Sequence, residues 1–463
     1  MGDAPEVGSD RAGRGGRFAS LWARFARSAG GGARARMLVL LAAILALDSA
    51  DKGAISAVAV AVKQDLSIDN AGLGLIVTVV SIVGLLLTFP AGALVDRVRR
   101  LRLLAVTIVL WAVAMLASAT ATSYGYLLCT RIALGVVVAA AGPGVASLTG
   151  DIFADDERGR IYGYILTGEL VGTGFGVLVA GEVTALASWR WSFVALSIPA
   201  LVLAAILWRT PEPARRAVDG DASRDHPALT PWQAVRRVLS VRTNVLLIAA
   251  SATGYFFFAG LRTFALVYAR GHFGLSQASA SALIPILGAG AVVGVLVGGR
   301  LADRLQRHGH RAARVTVAAV CPIIAAAILA PGFLLSSLGP AVALFTLAGV
   351  ALGAANPAID AARLDIMPSW LWGRAESVRT VLRTGGEAVA PVTFGAFAGW
   401  FAGPSERGLQ VTFLIMLIPL AMSGVVLWRA RHSYPGDAAG ACGGPGRPVR
   451  DGADRSAPVT RRG

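Results

Sequence analysis

The sequence predicts an all-α integral membrane protein with twelve transmembrane helices in two pseudo-symmetric halves of six. Three observations carry this prediction. The chain of 463 residues is 55% hydrophobic and 15% charged, whereas ordinary soluble domains carry about 25% charged residues. Successive apolar segments are each long enough to cross a hydrocarbon core of about 30 Å. A short charged turn occurs twice, about half a chain apart.

The twelve apolar segments define the predicted domain organisation. The first six lie at 37–60, 72–95, 103–122, 126–149, 160–182 and 190–209, and the second six at 244–268, 279–299, 313–333, 340–362, 377–401 and 409–429. We therefore predict a basic cytoplasmic N-terminal tail (1–36), an N-terminal six-helix bundle (37–209), a cytoplasmic linker (210–243), a C-terminal six-helix bundle (244–430) and a disordered cytoplasmic tail (431–463).

Two segments outside the bundles have the pattern of short surface helices. Over 17–28, apolar residues stand at helical spacing and arginines occupy other positions, which fits a basic helix on the inner leaflet. A solvated tail is the alternative. Residues 232–239 of the linker fit a short interfacial helix.

The charge of the chain predicts its orientation. It contains 43 Lys and Arg against 27 Asp and Glu, for a net charge of +16. Most of the basic residues fall in segments on one side, so the positive-inside rule places both termini in the cytoplasm and the chain in the cytoplasmic membrane. We expect anionic lipid headgroups, rather than nucleic acid, to meet this charge. The three cysteines have no metal or redox spacing, and we predict no metal site, no cofactor and a monomer.

The repeated turn has the pattern G-x-L-x-D-R-x-x-R at 92–100 and again at 299–307, with its aspartates 207 positions apart. A weak internal repeat is typical of secondary transporters. The glycine lets two helices approach closely, and the arginines hold the turn at the headgroups. We predict that this motif closes the cytoplasmic side through Gly92, Asp96, Arg97, Arg100, Gly299, Asp303, Arg304 and Arg307.

A second pair of loops supports the duplication. Asp151 and Asp365 follow the fourth and tenth segments, 214 positions apart, and each begins a run that ends in a glycine and an arginine. We expect these acidic loops to pair with the turns at Arg97 and Arg304 when the cytoplasmic side is closed, as weak surface ion pairs.

Charged residues inside the predicted helices mark the candidate site, because a charge at the bilayer centre costs about 3 kcal/mol or more. Several acids at mid-depth on different helices describe a central polar cavity, where a carboxylate loads and releases a proton as access alternates. The candidates for substrate binding and proton coupling are Asp48, Asp51, Lys52, Arg131, Glu169, Arg383 and Glu387.

Within this set we assign different roles. Asp48, Asp51 and Lys52 share one face of the first helix, and Asp48, Asp51 and Glu169 are the candidates for proton coupling. Arg131, Arg383 and Glu387 are candidates for gating or for holding an anionic group. The alternative is a salt-bridge network that only holds helices together, for example Asp51 with Lys52 and Arg383 with Glu387. Arg262 lies near the outer end of the seventh helix, where it can reach the headgroups.

These motifs resemble those of the major facilitator superfamily. The repeated turn is similar to the cytoplasmic loop motif that follows the second helix of each half in that family, with Arg99 where a second glycine is usual. Arg131-x-x-x-Gly135 resembles the fourth-helix motif, whose arginine is implicated in proton transfer. The resemblance implies the major facilitator fold and alternating access by rocking of the two halves.

Residues 40–213 resemble, more finely, the spinster-type branch. The similarity lies in Asp51-Lys52, in 62–74, in Pro143, in 171–176 and in 189–193. That branch has an Asp-Arg pair where this chain has Asp51-Lys52, and a glutamate where this chain has Val138. Its members move lysophospholipids, sphingoid lipids or other amphipathic solutes. With that glutamate absent, we hypothesise that Glu169 has taken over a coupling role.

The expected function is proton-linked export of a small amphipathic, lipid-like or drug-like solute, with the proton as coupling ion. A proton symporter or an uncoupled facilitator for uptake is the alternative. A membrane-embedded lipid enzyme would need a clustered catalytic set, but all five histidines fall in predicted loops or tails. A sensor would need a folded output domain, and a primary pump would need a phosphate-binding G-x-x-x-x-G-K-[ST] loop. We therefore expect no enzymatic activity.

Overall fold

A computed structural model describes residues 23–27, 30–153, 158–213, 231–368, 372–402 and 406–442. Within these residues the chain forms fourteen long or medium helices and no strand. In chain order they are α1 Gly32–Asp65, α2 Asn70–Arg97, α3 Arg100–Ala119, α4 Tyr124–Val138, α5 Ala141–Ile152, α6 Arg158–Leu186, α7 Trp189–Arg209, α8 Pro231–Ser240, α9 Arg242–Phe273, α10 Gln277–Arg307, α11 Ala313–Leu334, α12 Leu338–Asp365, α13 Trp372–Ala402 and α14 Glu406–Cys442.

The helices confirm the predicted fold class of twelve transmembrane helices. Helices α4 and α5 together form the fourth crossing, and α8 is the short helix predicted in the linker. Within the described residues, ten segments are long and apolar enough to cross a membrane. The other two crossings, α1 and α13, are the helices in which Asp48, Asp51, Lys52, Arg383 and Glu387 lower the apolar content.

The fourth crossing is divided, although the sequence predicts one continuous segment over 126–149. Helix α4 ends at Val138 and α5 begins at Ala141. Pro143 lies in the first turn of α5, where the missing N–H of proline leaves no helical hydrogen bond unmade. The division therefore falls where proline is tolerated.

The C-terminal segment corrects one prediction. The sequence predicts disorder from residue 431, but α14 continues as a helix to Cys442. Contacts with other helices hold this extension, since the Tyr434 hydroxyl donates to Asp365 and the Asp437 carboxylate accepts from the backbone N–H of Thr243 at 3.0 Å. Residues 443–463, like 1–22 and 214–230, lie outside the described residues.

The surface helices lie against the bundle. Of the predicted N-terminal helix, residues 23–27 are described and are helical, and the Phe25 ring packs edge-on against Tyr164 with 5.4 Å between centroids. In the linker, α8 buries Ala234 and Val238 and leaves Trp232 exposed.

Glycines set the closest helix contacts inside each half. On α6, Gly168, Gly172 and Gly176 recur every fourth residue and face α1. A Cβ atom at Gly172 or Gly176 would overlap the carbonyl oxygen of Ala46 or Ala50. These small residues bring the two backbones into direct contact, as is common between membrane helices. Helices α10 and α12 are packed in the same way in the second half.

The contacts between the two halves include an equivalent pair at one end of the bundle. We term the side on which α2 and α10 reach their C-terminal ends, Arg97 and Arg307, the turn face. The opposite side is the far face. Within the described residues, the halves contact each other mainly through three helix pairs, α1 with α9, α6 with α10, and α2 with α13. Gly181 of α6 lies against Ser281, and Gly395 of α13 lies against Asn70. The two glycines are 214 positions apart, so these far-face contacts are equivalent in the repeat.

The glycine contacts predict a position-specific loss of stability. We expect Gly176→Ala to lower the free energy of unfolding by about 1–3 kcal/mol, because the added methyl group overlaps α1. Gly174→Ala is the matched control on the same helix, since its Cβ would meet open space. Thermal unfolding of the purified protein in detergent measures both. Equal unfolding temperatures for the two variants would contradict this packing.

Candidate functional site

Six charged side chains from four helices form a central charge cluster between the halves. The first half contributes Asp48 and Lys52 from α1 and Glu169 from α6, and the second half contributes Arg262 from α9 and Arg383 and Glu387 from α13. At 1.5 Å per residue, Lys52 lies about 20 Å from the far-face end of α1, and Glu387 lies about 22 Å from the same end of α13. The cluster is therefore close to mid-membrane.

Two ion pairs neutralise four members of the cluster. Lys52 Nζ lies 2.6 Å from Asp48 Oδ2, one helical turn away, and Arg262 Nη2 lies 3.1 Å from Glu387 Oε1 across two helices. The Lys52 side chain is 35% exposed and that of Glu387 is 17% exposed. Because these charges face the other half and still reach solvent, they line a polar opening between the halves.

Glu169 and Arg383 are the two remaining members of the cluster. Glu169 lies close enough to Lys52, Asp48, Arg383 and Glu387 to interact with their charges, but among the described residues neither Glu169 nor Arg383 has an ion-pair partner within 4 Å. The two residues are 214 positions apart, so the repeat places an acid and a base at equivalent positions in the two halves.

The Arg383 guanidinium stacks on an aromatic ring. Its central carbon lies 4.2 Å from the centroid of Tyr255 on α9, and its Nε atom is buried without a hydrogen-bond partner in the described structure. Phe258, one turn further along α9, packs edge-on against Tyr255. Arg383 is thus held by an aromatic wall rather than by an acid.

Asp51 and Arg131 form a separate buried pair within the first half. Arg131 Nη1 donates to Asp51 Oδ1 at 2.8 Å, and the Arg131 side chain has no exposed surface. Its guanidinium also lies over the Phe193 ring, 4.6 Å from the centroid. The predicted common face of α1 is therefore divided, because Asp51 and Lys52 point 100° apart around the helix axis. Asp51 faces α4, and Lys52 faces the opening.

The ion pairs also differ from the pairs that the sequence offers as the structural alternative. Lys52 pairs with Asp48 instead of Asp51, and Glu387 pairs with Arg262 instead of Arg383. Arg262 does not extend to the headgroups. Its side chain turns to Glu387, and its backbone carbonyl accepts a hydrogen bond from Ser56 at 2.6 Å.

The turn motifs occupy equivalent positions in the two halves. The sequence pairs the acidic loops with Arg97 and Arg304, whereas both arginines are exposed. Asp151 pairs instead with Arg100, and Asp365 pairs with Arg314 at 2.6 Å. Each pair joins the start of the third helix of its half to the end of the fourth.

Other members of the motif hold the helix ends together. Gly92 faces Pro143 and Gly299 faces Pro357, again in equivalent positions, so each glycine brings the end of one helix against a proline. Asp303 lies 3.5 Å from Arg314 and accepts a hydrogen bond from Arg307 at its backbone carbonyl. The side chain of Asp96 lies outside the described part of the structure.

An acidic residue at the turn-face end of each half caps another helix. The Glu212 carboxylate accepts from the backbone N–H groups of Arg100 and Leu101 at the start of α3, both at 2.9 Å. Asp437 does the same for α9 at Thr243. Unpaired N–H groups at a helix start attract negative charge, so these acids fix the turn-face ends of both halves.

Sequence reasoning misses Tyr255 and Arg314, and it places Arg262 at the headgroups instead of in the charge cluster. Tyr255 and Arg262 lie on one face of α9 but carry no motif that marks their role. Arg314 has a signal in the sequence, because it stands 214 positions after Arg100, the offset already seen between Asp151 and Asp365.

Two helical groups with a charge cluster between them at mid-membrane depth are the architecture of a membrane transporter. The sequence pattern of the Major Facilitator Superfamily matches residues 39–339, and the chain belongs to that family.

Spinster proteins are among the sequence relatives of this chain, which supports the spinster-like branch of the family. The chain is 28% identical over 237 residues to protein spinster homolog 1 of Homo sapiens, covering 50% of this chain and 44% of that protein. It is 29% identical over 184 residues to the 4-hydroxybenzoate transporter PcaK of Pseudomonas aeruginosa, covering 40% of this chain and 41% of that protein. The matches thus span less than half the length of these relatives.

A solved structure shares the fold over almost its whole length. It is the crystal structure of a bacterial homolog to the human lysosomal transporter spinster, in an inward-facing and unoccupied conformation. The TM-score is 0.75 at 19% sequence identity, and the match covers 88% of this chain and 98% of that one.

The buried pair predicts a stability difference between two acids on α1. We expect Asp51→Asn to lower the free energy of unfolding by about 3–5 kcal/mol, because it leaves the buried Arg131 charge unpaired. Asp48→Asn is the control and should cost less than about 1 kcal/mol, since Lys52 is partly exposed and stays hydrated. Thermal unfolding in detergent compares the two. A larger loss for Asp48→Asn would contradict the assignment.

Proposed function

We propose that this protein is a proton-coupled secondary transporter of a small amphipathic, lipid-like or drug-like solute, working by alternating access in the cytoplasmic membrane. The observation that carries the proposal is Glu169, an acid in a central charge cluster between the two halves that has no ion-pair partner among the described residues. We further propose that the protein acts as a monomer and without a cofactor.

Glu169 is the group best suited to carry the proton. Asp48, Asp51 and Glu387 each lie within 3.1 Å of a base and are already neutralised by an ion pair. Glu169 faces Asp48 and Lys52 from α1, and Arg383 and Glu387 from α13, without contacting a base. A carboxylate at this depth that lacks a partner is a candidate for loading and releasing a proton.

Alternating access is supported by the contacts between the halves. The contacts at Gly181 and Gly395 join the halves at the far face, whereas the turn-face ion pairs of Arg100 with Asp151 and of Arg314 with Asp365 each lie within one half. We assign the turn face, with both termini, to the cytoplasm by the positive-inside rule, and exposed arginines such as Arg97 and Arg304 to anionic headgroups. Rocking would separate the far-face contacts and bring the turn motifs together.

The charge of the solute would decide the sense of coupling. Export in exchange for protons, our first candidate, fits a solute that competes with the proton for the acidic wall of Asp48 and Glu169. Uptake together with protons is the second candidate and fits an organic anion. The free charge of Arg383 and the similarity to a 4-hydroxybenzoate transporter favour this second candidate.

Flux in proteoliposomes under an imposed pH gradient tests the proposal. We expect wild type to move at least one member of a panel of lysophospholipids, amphipathic cations and organic acids, and Glu169→Gln to lose gradient-driven flux to the level of protein-free liposomes. Glu182→Gln is the matched control, since Glu182 is an exposed acid on the same helix. Gradient-driven flux that survives in Glu169→Gln would remove Glu169 from the coupling step.

A further inference from the structure

We propose that Arg383 binds the anionic group of the solute, a single carboxylate or phosphate carried on an aromatic or apolar body that packs against Tyr255. This proposal rests on the transport function above and names the substrate class for the same opening.

The first step is the unmatched charge. An arginine stays protonated in proteins, and a charge at this depth costs about 3 kcal/mol or more unless it meets an opposite charge or water. The other bases at this depth, Lys52, Arg131 and Arg262, each lie within 3.1 Å of an acid. Arg383 has no such acid among the described residues.

The second step is that nearby acids are held by other bases. Glu387 is paired with Arg262, and Glu376 on the same helix is paired with Arg379 at 2.9 Å. Toward the turn face, two arginines and two acids neutralise one another, namely Arg363, Arg379, Asp360 and Glu376. The acid left near Arg383 is Glu169, which belongs to the other half.

The third step is the shape of the site. Stacking on Tyr255 fixes the guanidinium plane and leaves its edge for two parallel hydrogen bonds, the geometry that carboxylate and phosphate groups accept. Tyr255 and Phe258 form an aromatic wall that suits a flat ring or an alkyl chain. Arg262 lies over Phe258 at 5.9 Å and extends the positive surface.

The fourth step links the anion to the proton. The wall from the second half, with Arg262, Arg383 and Glu387, carries one net positive charge, and the facing wall, with Asp48, Lys52 and Glu169, carries one net negative charge. An anion on Arg383 adds negative charge beside Glu169, so Glu169 is better occupied by a proton while the anion is bound. Anion and proton then cross in the same direction, which is the second of the two couplings proposed above.

Calorimetric titration of the full chain in nanodiscs tests the site. Benzoate and decanoate are the anionic probes, and benzamide and decanol are the matched neutral ones. We expect the anions to bind wild type, and to bind Arg383→Gln at least about tenfold more weakly, as loss of a charged hydrogen bond predicts. Arg383→Lys, which keeps the charge but not the planar fork, should fall between them. The neutral probes should not bind any variant.

A matched control removes an arginine that also stacks on an aromatic ring. Arg431 lies over Trp428 at 4.1 Å on α14, away from the cluster, and Arg431→Gln should bind anions as wild type does. Equal unfolding temperatures for Arg383→Lys and wild type show that weaker binding is not a folding defect. Anions that bind wild type and Arg383→Gln alike, or that bind neither, overturn the proposal.

Two further arms identify the source of the anion. Competition by inorganic phosphate at the same site supports a free anion, and competition only in nanodiscs that contain phosphatidylglycerol supports a lipid headgroup. Both results retain the anion site. If anions do not bind but a cationic solute shows gradient-driven flux that Glu169→Gln abolishes, the transport function stands and the anion site falls. If no solute moves, the transport function falls as well.

Discussion

A charge at the depth of the hydrocarbon must meet an opposite charge or water, and the arrangement of the helices follows from this constraint. Arg131 has no exposed surface and meets Asp51 and the face of Phe193, which ties α1 to α4 and α7 within the first half. Asp48 and Lys52 of the same helix lie in the charge cluster between the halves. Helix α1 thus belongs to the rigid packing of its own half on one side and to the polar opening on the other.

The same constraint is consistent with the composition of the boundary between the halves, where small residues pack together and charged groups are confined to mid-depth. At the far face, Gly395 lies against the backbone of Asn70 and Gly181 lies against the side chain of Ser281, and few of the described side-chain hydrogen bonds cross the boundary. Those described include Ser56 to the carbonyl of Arg262 and Gln277 to the carbonyl of Ala57, both at 2.6 Å. Small residues let the two halves approach closely at the far face. The charged groups are concentrated in the cluster at mid-depth.

The sequence predicts the number of crossings, the repeat and the identity of most charged residues in the site, because composition and spacing record them directly. It does not predict which charges meet. Arg383 and Glu387 stand one turn apart and are expected to pair, but Arg262 approaches Glu387 from α9. That depends on how two helices are rotated about their axes, which one sequence does not contain. The prediction of disorder for residues 431–442 is wrong for a related reason. Gly and Pro disfavour a helix there, but contacts of Tyr434 and Asp437 with other helices stabilise it.

The balance of charge in the cluster has an electrical consequence. With all six groups ionised, Asp48, Glu169 and Glu387 cancel Lys52, Arg262 and Arg383, and the cluster carries no net charge at one depth in the membrane. A membrane potential does about 2.3 kcal/mol of work per elementary charge per 100 mV. Because the cluster has no net charge, the potential does little work on it when the protein changes conformation without a bound solute. In the alternating-access cycle that we propose, the voltage across the membrane would therefore leave the return of the empty protein almost unaffected, and any electrical drive would enter with the solute and the proposed proton.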